Sequence, residues 1–212
     1  MFVGRTGELS RLEREFAAKR PSLLVVYGRR RIGKSALLRA AIKGRPHVLY
    51  QATRMSAPLN LDGLKTEIAR SLGGDDILGG LADWLGVLAY LARRAETTPG
   101  LVVVLDEFPY LVDADPALPS VVQKFWDGLG PAADGFNLVL CGSMIAQMEA
   151  LLAERNPLYG RQTLAMNVQA LPLRDIAGFF PDFSADDLVL LDGILGGVPF
   201  YLRLCDRRAS VR

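Results

Sequence analysis

Cysteine and histidine are nearly missing from this sequence. Its 212 residues include two cysteines, Cys141 and Cys205, and one histidine, His47. Two thiols cannot build a disulfide scaffold, and no C-x-x-C pair or Cys/His cluster exists to hold zinc. Both cysteines therefore read as reduced core residues of a cytoplasmic protein. Long hydrophobic runs are missing too. The longest purely apolar run is LVVVL at 101–105, whereas a membrane span needs about 18 such residues. The apolar stretch 188–202 is broken by Asp192, Gly193, Gly196, Gly197 and Pro199. The opening MFVGRTGELSRLEREF lacks the apolar centre of a signal peptide. No membrane partner is expected. Nor does one sign of charge dominate: 25 Lys+Arg face 23 Asp+Glu, a net +2. That total gives no strong pull toward nucleic acid or anionic lipid.

What is present is a globular composition, 50% hydrophobic and 23% charged, which excludes disorder as the main state. The length suits one large domain, or one with a small appendage, and can bury a core without staples. Short apolar runs alternate with helical patterns. SLLVVY (22–27), HVLYQAT (47–53), LVVVLDEF (101–108), FNLVLCGS (136–143) and QTLAMNVQ (162–169) read as buried strands. Helical spacing appears over 34–42, 60–73, 81–96, 117–129 and 144–155. Five buried strands joined by helices predict an α/β fold with a parallel sheet covered on both faces. Composition changes near Leu171–Pro172, after which 173–205 is helical with glycine breaks. The expected division is a sheet domain over 1–171 and the first helices of a lid over 172–212, in a chain that reads as part of something longer.

The strongest motif is Gly28-Arg-Arg-Arg-Ile-Gly33-Lys34-Ser35, which follows one predicted strand and opens a predicted helix. It fits G-x-x-x-x-G-K-[ST]; with 21 Gly, 5 Lys and 15 Ser+Thr, chance gives such a match about 0.3% of the time before context is required. The glycines let successive N–H groups turn inward on a phosphate, and the helix start adds partial positive charge. Lys34 can reach the outer phosphates and Ser35 can ligate Mg²⁺. The candidate nucleotide-binding residues are thus Gly28, Arg29, Arg30, Arg31, Ile32, Gly33, Lys34, Ser35 and Ala36. The three arginines read first as solvated loop charge that attracts an anion, and second as a contact to a partner or nucleic acid.

LVVVL-Asp106-Glu107 delivers two carboxylates at a strand's C-terminal end, the edge where open α/β sheets bind ligands. Asp106 would hold Mg²⁺. Glu107, pointing to the other side of the chain, could polarise an attacking water. A kinase brings its own acceptor and has no need of that glutamate; a hydrolase does. Ser143 ends another strand and could bond the γ-phosphate or the water. Arg161, in PLYGR before the fifth strand, could neutralise transition-state charge in its own chain or in a neighbour. Val3, Gly4 and Arg5 near the start, and Pro199 in GGVP, could close over a base or sugar, although such segments are more often core or turn.

These residues in this order resemble the AAA+ and STAND NTPases of the P-loop superfamily. More narrowly, they resemble the family known as archaeal ATPases, which also occurs in bacteria. The resemblance runs through FVGRTGEL (2–9), GRRRIGKS (28–35), LVVVLDEFPYL (101–111), LVLCGSM (138–144), PLYGR (157–161) and GGVPFYL (196–202). It implies an ASCE-type P-loop fold with a five-stranded parallel sheet of order 5-1-4-3-2. It implies ATP and Mg²⁺ as cofactors, with Ser35 and Asp106 at the metal and Lys34, Glu107, Ser143 and Arg161 in catalysis. Val3, Gly4, Arg5 and Pro199 would frame the adenine, and no guanine-reading N/T-K-x-D motif is present. Thr6 stands where relatives often carry an acid, and Met144 where a second polar residue is common. Relatives commonly add a winged-helix lid and a C-terminal domain. The implied activity is Mg-dependent ATP hydrolysis used as a switch, in a homo-oligomer or with a DNA or protein partner reached through a further domain. A DNA-associated ATPase, and a nucleotide-gated scaffold with little hydrolysis, are the alternatives.

Overall fold

A computed structural model describes residues 2–130 and 133–205. Five parallel strands form one sheet: β1 (Ser22–Tyr27), β2 (His47–Gln51), β3 (Val102–Asp106), β4 (Asn137–Gly142) and β5 (Leu164–Asn167), in the order β2-β3-β4-β1-β5. This is the expected order read from its other edge. In register, Tyr27 of β1 lies beside Gly142 of β4 and Asn167 of β5, and Gln51 of β2 beside Asp106 of β3. All strands therefore end along one edge, where the Gly28–Ser35 loop and the acidic pair emerge.

The pleat sends alternate residues to opposite faces. Leu23, Val25, Val103, Leu105, Leu138 and Leu140 point into the larger core. There they meet α3 (Ala57–Leu72), α4 (Asp76–Gly80), α5 (Trp84–Thr97), α6 (Phe108–Ala114), α7 (Leu118–Asp127) and α8 (Ile145–Ala150). Leu24, Val26, Val102, Val104, Val139 and Cys141 point the other way, against α1 (Thr6–Phe16) and α2 (Lys34–Ala41). Beyond β5, α9 (Leu173–Ile176), α10 (Ala185–Leu195) and α11 (Pro199–Leu202) close a small third core around Ile176, Phe179 and Phe180. The last seven residues of the expected lid segment, 206–212, lie outside the described residues.

Three local differences from the sequence reading have physical reasons. α1 is not apparent in a mostly polar stretch, yet Leu9, Leu12 and Phe16 fall on one helical face and pack into the second core. α5 starts at Trp84, not at 81, because the Asp83 carboxylate caps it by accepting from Gly86 N at 2.7 Å. β3 stops at Asp106, and Pro109 sits in the first turn of a helix that opens at Phe108.

Candidate nucleotide-binding site

The chain leaves β1 through Gly28 (φ 151°), which is buried against the continuation of β5. A Cβ there would lie 2.4 Å from the Val168 carbonyl oxygen, so glycine is required by close approach. The loop then curls through Arg31 (φ 66°) and Gly33 (φ 96°) into α2. Ile32, 2% exposed, anchors the loop in the second core. The Lys34 side chain folds back across the loop, its ammonium donating to the Gly28 carbonyl at 2.9 Å and the Arg29 carbonyl at 3.2 Å. It is 6% exposed and makes no ion pair among the described residues. A buried ammonium held by carbonyls alone is electrostatically poised for an anion.

Facing this cradle is the end of β3. Asp106 is 4% exposed and accepts the Ser35 hydroxyl at 2.7 Å. Behind it, burial first and the Asp106 carboxylate second push the Cys141 thiol well above its ordinary value. Glu107 does not point across the chain by strand alternation. It occupies the left-handed region (φ 55°, ψ 43°) as the residue capping α6, at a cost of about 1 kcal/mol for a side chain with Cβ. That turn swings its carboxylate toward β4, where Oε2 accepts from Ser143 N at 3.2 Å and from Ser143 Oγ at 2.9 Å. The Ser143 hydroxyl, expected at a phosphate or a water, is engaged by Glu107 in this structure.

A cavity of about 260 Å³ lies between these groups, lined by Gly33, Lys34, Ser35, Ala36, Glu107 and Ser143. Arg30, Arg31 and, from the C-terminal helices, Pro199, Phe200 and Arg203 complete its wall. The loop arginines are not simply solvated. Arg30 donates to the Tyr110 hydroxyl of α6 at 2.8 Å. Arg31 donates to the Tyr201 hydroxyl at 3.1 Å and stacks on Phe200, 4.5 Å from its centroid. Arg29 is exposed. Next to the cavity, a smaller crevice of about 20 Å³ is bounded by Val3, Arg5, Ile32, Gly33, Ala36 and Pro199, so the two terminal segments do meet the loop. Arg5, 4% exposed, is a strut: it donates to the Ile32 carbonyl at 2.9 Å and to Glu8 at 2.7 Å. Gly4 (φ 70°) packs on the Asp175 carboxylate, and Val3 belongs to the lid core.

Arg161 is the exception. Thr163 N bonds the Leu23 carbonyl at 2.8 Å, so Arg161 sits where the strands begin, one strand length from the cavity, ~20 Å. Its guanidinium clasps Asp127 in a fork, at 2.7 and 2.8 Å, and donates to the Pro157 carbonyl at 2.9 Å. Hydrogen bonding to Arg161 holds the Asp127 carboxyl below the usual carboxylate range. The cis role open to Arg161 from sequence is therefore not supported by its placement. Arg203, Phe200 and Tyr110 were missed. The spacing Pro199–Arg203, one helical turn, was the available signal for Arg203.

The chain is 30% identical over 203 residues to an uncharacterised protein of Methanocaldococcus jannaschii, a match covering 95% of this chain and 43% of that one. It thus spans less than half of that relative's length. Among solved structures, the Walker-type ATPase PABY2304 of Pyrococcus abyssi superposes with a TM-score of 0.71 at 22% identity, covering 95% of this chain and 65% of that one. The Aeropyrum pernix ORC2 protein, in its ADPNP–ADP complexes, superposes with a TM-score of 0.63 at 19% identity, covering 84% and 50%. Both likenesses speak to the fold. Residues 2–204 match the family described as an ATPase domain predominantly from Archaea, and the chain belongs to that family.

Proposed function

We propose that this domain binds Mg·ATP in the cavity and hydrolyses it. The observation that carries the reading is the convergence of Lys34, the Ser35–Asp106 pair and the Ser143-held Glu107 on one cavity. The residues suit a magnesium ion: a hydroxyl and a carboxylate 2.7 Å apart are hard oxygen donors, and such sites take one or two carboxylates plus substrate phosphates. When bound, Mg²⁺ would supply charge neutralisation on the β- and γ-phosphates. The loop backbone and Lys34 would hold the phosphates, and Ser35 and Asp106 would hold the metal. Glu107 takes a proton from the attacking water as that oxygen bonds to phosphorus. The bond to the β-phosphate oxygen breaks, and the electron pair leaves with ADP. Pro199 and Val3 would frame the adenine, and the crevice of about 20 Å³ between them would have to widen to admit it.

The switch reading rests on Arg31. It belongs to the phosphate loop yet stacks on Phe200 and bonds Tyr201 of the lid. Phosphates that draw Arg31 inward loosen that clasp, so lid pose follows nucleotide state and can signal to a further domain or a partner. Arg161 serves the cavity of a neighbouring copy in a homo-oligomer. Two free thiols and the absence of a helix long and apolar enough to cross a membrane, among the described residues, suit a cytoplasmic setting.

Titration calorimetry with Mg·ATP and phosphate-release assays test this. Glu107→Gln should retain ATP affinity and lose about 100-fold or more of turnover. Turnover at the parental rate removes Glu107 from its role, and no binding heat from folded protein removes the whole reading. A steeper-than-linear rise in turnover with protein concentration places Arg161 in trans.

A further inference from the structure

The near-neutral total charge conceals a segregation. Residues 1–54 hold thirteen Lys/Arg and three Asp/Glu, while residues 55–212 hold twelve and twenty. The fold turns this asymmetry in sequence into one in space. Among the described helices, α1 and α2 alone bury side chains in the second core, so this segment supplies the helices of one outer layer, while its Arg30, Arg31 and Lys34 stand at the cavity and its Arg54 over Tyr110. Both helices run from the phosphate-loop edge toward the edge where strands begin. Arg11 and Arg14 project from α1 on the side away from Leu12 and Phe16, and Arg39 and Lys43 from α2 on the side away from Leu38 and Ala41; all four are exposed. Lys19 follows α1, and Arg45 follows α2 with its guanidinium 5.7 Å from the Phe16 ring centroid, which joins the two helix ends into one surface. Glu8 and Glu15 on this layer are paired, with Arg5 and Arg20, leaving Glu13 against six cations.

We infer that the α1–α2 layer is a nucleic-acid interface that grips the phosphodiester backbone. Arg14 and Arg39 stand in the last turns of the two helices and Lys19, Lys43 and Arg45 just beyond them, so the cluster gathers at the helix C-termini, and the one cation each that such an end favours does not account for six. The patch has the chemistry of backbone binding: it is dominated by arginine and polar throughout. None of the large hydrophobic residues exposed among the described residues lies on α1 or α2; Phe2 precedes α1, and others lie on α10 (Val189, Leu190, Ile194) and on α3 and α4 (Leu59, Ile77). A protein interface buries an apolar centre depleted in lysine, and an amphipathic membrane contact inserts apolar side chains. A nucleic-acid interface needs neither. At the edge where strands begin, a groove of about 320 Å³ has Arg39, Lys43 and His47 on its rim and Ile42, Gly44 and Leu49 in its remaining wall. The His47 Nδ1 pairs with the Arg45 carbonyl at 2.8 Å, which ties the ring to the end of the basic layer. This face lies on a different side from the nucleotide cavity, so the two ligands do not compete.

The test is a fluorescence-anisotropy titration of the full chain with random-sequence 20-mer duplexes, one of DNA and one of RNA, at several salt concentrations. The source of the backbone is whichever duplex binds. Five to six phosphate contacts predict a log–log salt slope of roughly −5, or about 1,000-fold weaker binding at 200 mM than at 50 mM salt. The triple variant Arg14→Ala/Arg39→Ala/Lys43→Ala should bind at least 30-fold more weakly at low salt, with the slope reduced by about 3. It should retain parental Mg·ATP affinity. A matched variant on the opposite layer, Arg70→Ala/Arg93→Ala/Lys124→Ala, should bind like the parent. No binding of either duplex at 50 mM salt, or equal losses in the two triple variants, overturns the inference. So does self-association that the first triple variant abolishes while duplex binding persists, because the face would then meet the acidic remainder of a second copy.

Discussion

The two edges of the sheet are built from the same strands and differ in what they tolerate. At the edge where strands end, the backbone is strained and charged groups are buried, whereas the polar residues buried where strands begin, Ser22 and Asn137, are uncharged. Arg5, Arg31 and Glu107 are the non-glycine residues with positive φ among the described residues, and all three stand around the cavity. Lys34 and Asp106, at 6% and 4% exposure, are buried charges there. At the edge where strands begin, the corresponding ion pair, Arg161 with Asp127, is half-exposed and fully formed. Strain and buried charge cost stability, and they persist only where the surrounding packing over-determines them. Their confinement to one edge marks that edge as the one the fold was built to serve.

Removing Lys34 is the sharpest way to break the contrast. Lys34→Ala deletes the buried ammonium that bridges the Gly28 and Arg29 carbonyls. Loss of a charge-assisted contact to phosphate costs ~2.8 kcal/mol, or about 100-fold in ATP affinity by calorimetry. Folding should survive, because the carbonyls it leaves belong to a loop that water can reach once the side chain is gone. An unchanged affinity would mean that the two edges do not differ in function.

Ser143→Ala is subtler. It removes the hydroxyl that fixes Glu107 and leaves the backbone N–H bond at 3.2 Å. One lost hydrogen bond of about 1.4 kcal/mol predicts a drop of about 10-fold in turnover, with ATP affinity nearly unchanged. Equal losses in affinity and turnover would instead place Ser143 on the phosphate itself.

How much of this was legible before the fold was known depends on distance along the chain. The loop from Gly28 to Ser35 was legible because its geometry is local: glycine positions, a strand before and a helix after. Asp106 was legible because an apolar run ended on it. Glu107 was found but misdirected. Alternation sends it across the chain, whereas the turn into α6 sends it to Ser143, 36 residues away. The clasp of Arg31 on Tyr201 spans 170 residues, and the Arg5 strut on Ile32 spans 27. No periodicity encodes such pairings; they follow from which elements the sheet order brings side by side. The charge segregation was countable from the start, but it became a surface only when α1 and α2 proved to share one layer.

The smallest effect is expected at the quiet edge. Asp127 accepts both ends of the Arg161 fork, and that hydrogen bonding holds its carboxyl below the usual range. A lowered folded pKa means the stabilisation is present above the unfolded carboxylate value, near 3.9, and is lost as pH falls through the folded value. Asp127→Asn should therefore lower the thermal midpoint by roughly 1–2 °C at pH 7, as befits an exposed pair. The difference should hold down to about pH 5 and close below the ordinary carboxylate range. Per-chain ATP turnover in dilute protein should not change, since Arg161 does not reach the cavity of its own chain. A large loss of turnover in dilute Asp127→Asn would show that the quiet edge feeds the strained one, and the contrast between them would have to be redrawn around that pair.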